Sequence, residues 1–119
     1  MLFRSICSQL GITATGQTIP GDYVNSRVTV SWSGLQLTNT TYSVQLYNGS
    51  GAPYGSPSPP LPSTVTSWQS PPVPGNVPYY ATITVCQNSS SFGIKCAPAC
   101  SSGYVTPPVT PTPPVFPTP

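Results

Sequence analysis

Four cysteines, Cys7, Cys86, Cys96 and Cys100, are the residues of this 119-residue chain whose number and type point to a definite chemistry. An even count in a small chain argues for disulfides and an oxidising compartment. The pairing is open. If the last two strands form a hairpin around Asn88 to Gly93, Cys86 and Cys96 lie nearly opposite each other and Cys7 is left to clip the start of the chain to Cys100. The alternative closes Cys96 to Cys100 around Pro98 and joins Cys7 to Cys86. Zinc is the competing reading, but it needs closely paired thiolates, and Cys96-x-x-x-Cys100 fits that need loosely.

Little else could do chemistry. The chain has no His and no Glu, so Asp22 has no second carboxylate with which to divide acid and base roles. A Ser or Cys nucleophile would lack its usual base, and Lys95 alone is a poor substitute. Side-chain oxygens are too few in charge to cage calcium or magnesium. No cofactor is expected, and the chain reads as a non-enzyme. With a net charge of +2 from Arg4, Arg27 and Lys95 against Asp22, there is no basic stripe for nucleic acid.

Modification is the remaining chemistry. Asn39-Thr-Thr41, Asn48-Gly-Ser50 and Asn88-Ser-Ser90 are N-glycosylation sequons, each placed at the end of a predicted strand. Ser and Thr together number 32, so single sequons arise by chance, and their common placement is the stronger signal. Thr106, Thr110, Thr112 and Thr118 alternate with proline in the manner of O-glycosylated stalks.

These residues are positioned by an alternating pattern between Arg27 and Asn88. Val28, Val30 and Trp32 form one apolar face, Tyr42, Val44 and Leu46 a second, and Tyr79, Ala81, Ile83 and Val85 a third. A period of two is that of half-buried strands. Three strands alone are marginal, so Ile12 to Thr15, Thr64 to Trp68 and a return strand between Phe92 and Val105 are expected to complete the core. Thr18 to Asp22 is a turn signal, and the prolines between Pro53 and Pro78 confine that stretch to edges and loops. On this alternation Cys86 faces outward, which suits a surface staple. The expectation is an all-β, antiparallel two-sheet β-sandwich over residues 11–105. Residues 1–10 are an N-terminal arm or first edge strand, and residues 106–119 a Pro/Thr-rich extended tail or linker.

The order of these signals resembles a fibronectin type III or immunoglobulin-like domain. Val28-Thr-Val-Ser-Trp32 looks like the second strand, with its central Trp, and Tyr42-Ser-Val-Gln-Leu46 like the third. Val73-Pro-Gly-Asn-Val-Pro-Tyr79, followed by Ala81, Ile83 and Val85, resembles the turn into the sixth strand. The resemblance covers residues 8–106 and implies that Tyr79 is the tyrosine of the corner described for such sandwiches. It implies a fold and a habit of mediating contacts, and no single function.

The termini suggest what the contacts are. Leu2, Phe3, Ile6 and Leu10 have a spacing that also suits a short helical face, and ten residues cannot span a bilayer. Seven prolines lie among the last fifteen residues, which favours an extended polyproline rod. Leu2, Phe3, Ile6, Val109, Val115 and Phe116 are therefore candidates for contact with a neighbouring copy. The favoured function is a structural subunit of an extracellular, glycosylated filament, sheath or stalk, assembling with copies of itself by strand or tail exchange. The alternative is a non-catalytic polysaccharide-binding or adhesion module using Trp68, Tyr47, Tyr54 and Tyr80. Trp68 itself is read as a lid on the core, with a sugar platform as its other reading.

Overall fold

The computed structural model describes residues 6–33, 39–89, 91 and 93–113 of the chain. A five-residue helix, α1 (Ile6–Leu10), leads into β1 (Thr13–Ile19) and β2 (Asp22–Ser31). Then follow β3 (Thr40–Asn48), the short β4 (Pro53–Tyr54), β5 (Leu61–Pro62), β6 (Ser67–Gln69) and β7 (Val73–Pro74). The long β8 (Tyr79–Ser89), then β9 (Gly93–Cys96) and β10 (Cys100–Ser101), complete the order.

The pattern of period two becomes the core. Every apolar residue expected inside on β2, β3 and β8 is buried, together with Trp32, while the Thr and Ser between them are mostly half-buried on the outer faces. Two antiparallel sheets share that core. One runs β1-β2-β6, with β7 also on β2; the other runs β10-β8-β3-β4, with β5 on β3 and β9 on β8. Trp32 from the first sheet meets Tyr42 of the second edge-on at 5.4 Å.

Three edges are single runs of chain that leave and rejoin their inner strand. Along β8, the four residues from Cys86 to Ile83 face the five from Cys96 to Cys100, and the five from Ile83 to Tyr79 face the six from Cys100 to Val105. Each step adds one residue, as a bulge does. At each interrupted edge one serine replaces the missing rung. The Ser58 amide donates to the Val44 carbonyl, its Oγ accepts from the Val44 amide, and the same Oγ donates to the Pro59 carbonyl. Ser70 does this with Val28 and Pro71, and Ser102 with Ala81 and Gly103. Where proline follows, the next residue has no N–H to offer, and a hydroxyl that both accepts and donates lets the edge turn away without stranding a buried amide.

Several expected boundaries move. β1 extends to Ile19 and β2 starts at Asp22, because Gly21 at φ 80° makes a two-residue turn tight enough for pairing to continue to it. The strand expected at Thr64–Trp68 lies at Ser67–Gln69, since the Val65 amide closes a turn onto the Pro62 carbonyl. The return strand is split into β9 and β10. Residues 6–10 are helical, so the first edge strand expected of residues 1–10 is absent from their described part and β1 takes that edge. Leu10 is fully buried, and its carbonyl accepts from the Ser33 amide.

Tyr79 is buried, and its Oη donates to the Pro74 carbonyl at 2.7 Å, tying the start of β8 to β7. Replacing Ser70 by Ala strands the Val28 amide and should cost about 1–3 kcal/mol, whereas Tyr79→Phe should cost about 1 kcal/mol. Guanidinium midpoints at constant m-value test both; a Ser70→Ala midpoint equal to wild type would show that the serine rung is dispensable.

Candidate functional site

The disulfides settle the pairing left open by the sequence. Cys86 and Cys96 are direct partners in the β8–β9 ladder, with Cα atoms 4.0 Å apart, and staple the outer face. Cys7 of α1 joins Cys100 of β10, with Cα atoms 5.3 Å apart. The second bond therefore ties the segment entering one sheet to the edge of the other. No cysteine is free, so thiolates for zinc are not available. Loops of 10 and 93 residues correspond to roughly 3 and 4.6 kcal/mol in the chain-entropy picture. The longer bond carries more of that constraint. Each bond has one exposed member, Cys7 and Cys96, but the partner is buried in the longer bond, Cys100, and only half-buried in the shorter, Cys86.

Two sequons converge. The Asn88 amide donates to the Asn39 carbonyl at 2.9 Å, and both residues are exposed, so both carboxamides stand at one end of the second sheet. Asn48 differs: it is half-buried, and its Oδ1 accepts from the Ser50 and Ala52 amides at 2.9 and 3.0 Å. That carboxamide is spent on holding the turn after β3. It also lines a cleft of about 510 Å3 with Tyr54, Val77, Pro78 and Tyr79.

The aromatics named as a sugar platform do not form one set. Trp68 packs half-buried against the core, as a lid does, and Tyr54 stands edge-on to Tyr79 at 5.6 Å. Tyr47 and Tyr80, neighbours across β3 and β8, stack at 5.1 Å with planes 8° apart. Tyr104, which the sequence did not single out, meets Tyr80 edge-on at 5.1 Å and is 66 % exposed. A three-ring cluster thus stands on the second sheet.

The most built part of the surface holds the start of the proline-rich tail. Val105 exchanges two hydrogen bonds of 2.8 Å with Tyr79. The Asn76 amide then donates to the Pro107 carbonyl at 2.7 Å, and the Ser26 hydroxyl to the Pro108 carbonyl. Thr110 Oγ1 donates to the Ile19 carbonyl at 2.8 Å, at the end of β1. Pro107 is fully buried. It fits because residue 16 is glycine: a Cβ there would lie 2.6 Å from the Pro107 Cβ. Gly75 makes the same allowance for Val109 and for the Ser26 hydroxyl. The segment crosses from the edge of one sheet to the edge of the other, filling a groove between β1, the buried Ser26 and the Gly75–Asn76 turn.

Of the residues expected to touch a neighbour, Val109 lies half-buried against Gly75 of its own domain. Ile6 belongs to α1, while Leu2, Phe3, Val115 and Phe116, with Thr118, lie outside the described residues. Thr106 and Thr112 are exposed; the Thr110 hydroxyl is engaged. The groove was missed in the sequence, although one signal was there. Gly16 lies inside a Thr-rich strand pattern, where a glycine marks a close backbone approach.

Charge plays a small part. Asp22, half-buried at the start of β2, accepts from the Asn25 and Val24 amides at 2.8 and 3.0 Å, and these bonds hold its pKa below the ordinary carboxylate value. A depressed folded pKa gives stability that is complete above the unfolded value and lost as pH falls through the folded one. Burial, and then the neighbouring Tyr54, raise the Tyr79 pKa, so its contribution is complete below the unfolded value and lost as pH rises through the folded one. The melting temperature should therefore be level from about pH 5 to about pH 9. It should dip only slightly in acid, and Asp22→Asn should remove that dip; a steep acid transition in this variant would overturn the assignment. Under limiting reductant, alkylation and peptide mapping should find Cys86 and Cys96 modified before Cys7 and Cys100, because neither cysteine of that bond is buried whereas Cys100 is.

No protein-family model, no curated protein and no solved structure matches the chain.

Proposed function

We propose that this chain is a fibronectin type III or immunoglobulin-like domain that serves as a structural, self-associating subunit of an extracellular, glycosylated filament, sheath or stalk. The observation that carries the proposal is the seated C-terminal segment. An extended, proline-rich peptide is held on a sandwich by main-chain hydrogen bonds and one buried proline, which is how sheet proteins take up extended partners.

Three further features support it. Counted as runs of chain, the sheets contribute three and four strands, the fibronectin type III arrangement, and the Tyr79 bond to a carbonyl five residues upstream matches the tyrosine corner. Two disulfides fit an oxidising exterior, and among the described residues no helix is long and apolar enough to cross a membrane. The outer faces are lined mostly by hydroxyls and amides, such as the chain Thr29 to Gln17 to Thr15, with Arg27 beside them, so adjoining copies would repel little and depend little on pH. Catalysis has no acid–base pair to work with, and glycans on Asn39 and Asn88 would supply the hydration that charge does not.

A second reading has one observation in its favour. The cluster of Tyr47, Tyr80 and Tyr104 could stack on a polysaccharide, although two of its rings face each other. Electron microscopy and light scattering of the natively glycosylated protein separate the two. Ordered fibres or concentration-dependent assemblies are expected; uniform monomers retained on a polysaccharide column would reverse the assignment.

A further inference from the structure

We infer that the groove between Gly16, Ser26 and Asn76 is the acceptor for residues Val105 to Thr110 of a second copy, and that the same segment seated in its own groove is the resting, self-blocked state. The inference rests on the self-association reading and names its donor, its acceptor and its control.

The occupant is fixed by what the groove already holds. Its donors are the Asn76 amide and the Ser26 hydroxyl, and they meet the carbonyls of Pro107 and Pro108, two residues that have no N–H of their own to satisfy. Its floor is cut back to glycine at 16 and 75, where Pro107 and Val109 sit. A segment with prolines at those two positions and a small branched residue directly after them fits this arrangement, and every copy of the chain carries one. A polyproline segment also loses little entropy when it docks, because its backbone is already extended.

The hinge is equally local. The Ser102 amide still pairs with the Ala81 carbonyl, and Val105 pairs with Tyr79, so Gly103 and Tyr104 alone lie between two fixed points. A Cβ at Gly103 would meet nothing within 4 Å, and Tyr104, mostly exposed, is held to the sheet through its edge-on contact with Tyr80. Swinging the segment out at this hinge breaks no strand pairing of β10 and leaves both disulfides intact. Trans docking would remake every bond that cis docking loses, the condition for exchange of an identical element between protomers.

Complementation between full-length variants tests this. Gly16→Val should block the groove in both cis and trans while leaving the segment intact, and Pro107→Asp should spoil the segment while leaving the groove open. Each alone should run as a 12.4 kDa monomer by light scattering, and an equimolar mixture should form a species of twice that mass. Gly75→Val, which collides with Val109 from a different element, blocks the groove independently should Gly16→Val fail the near-ultraviolet circular dichroism check for folding. If blocked-groove variants assemble as wild type does, exchange is overturned and self-association must use another surface. Wild type that stays monomeric even when concentrated, while the mixture pairs, would support the exchange and overturn the filament. A concentrated wild type and a mixture that both stay monomeric would overturn both.

Discussion

Everything in this domain is arranged around backbone donors that do not exist. Eighteen of its 119 residues are proline, and most of them lie beside the strands that must be fully paired. An inner strand whose neighbour lacks an N–H keeps its own carbonyl and amide, and leaving these buried and unpaired costs more than a made hydrogen bond returns. The chain meets this by confining β2, β3 and β8 to proline-free sequence and by letting Ser58, Ser70 and Ser102 stand in the ladder where the edge departs. The edges that result are short and interrupted. Such edges are poor templates for uncontrolled pairing, so the same device that satisfies the core also limits aggregation.

The small core then has to be closed at its sides. Helix α1, with its buried Leu10 and the Cys7–Cys100 bond, joins the two sheets at one level, and the Val105–Thr110 segment joins them at another. The two closures differ in kind. The first is covalent and sits on a 93-residue loop, so it survives any motion of the tail. The second consists of a few hydrogen bonds, one buried proline and two half-buried valines, and it lies beyond a two-residue hinge. Covalent closure leaves the noncovalent one free to have a function.

How much of this could be read in the sequence follows from which residues carry period two. Val28, Val30 and Trp32, with the matching sets on β3 and β8, announced the core because one face of each strand is apolar and the other is Thr or Ser. The outward placement of Cys86 followed from the same alternation, but its pairing with Cys96 stayed one of two readings until the β8–β9 register was known. β1 was only half legible, since Thr13 to Thr18 offers no apolar contrast beyond Ala14. The split edges were illegible for a different reason: Ser58 and Ser70 look like ordinary loop serines until the strand beside them is known. Gly16 marked a close approach, but what approaches needed tertiary knowledge. Gly16 and Pro107 are 91 positions apart, and neither has a periodic signal that names the other.

The shortness of the hinge decides what an assembly built by exchange could look like. From Ser102 to Val105 the chain spans three Cα steps, at most about 11 Å. More length cannot be recruited upstream, because Ser102 is paired to Ala81 and Cys100 is bonded to Cys7. A donor domain must therefore abut its acceptor, and the outer surfaces beside the groove become part of the contact. For such abutment a sparsely charged face, with Asp22 and Arg27 its nearest charges, is an advantage: hydroxyls and amides can be paired or wetted across a seam at little cost, whereas unpaired charges could not. Cis docking would otherwise win, since a segment tethered this closely sees its own groove at an effective concentration of order millimolar or more. The contacts of the abutting faces are what would tip the balance toward trans, and they would be felt only when copies are crowded. Exchange would then follow local concentration, as at a secreting surface, and dilute copies would remain closed.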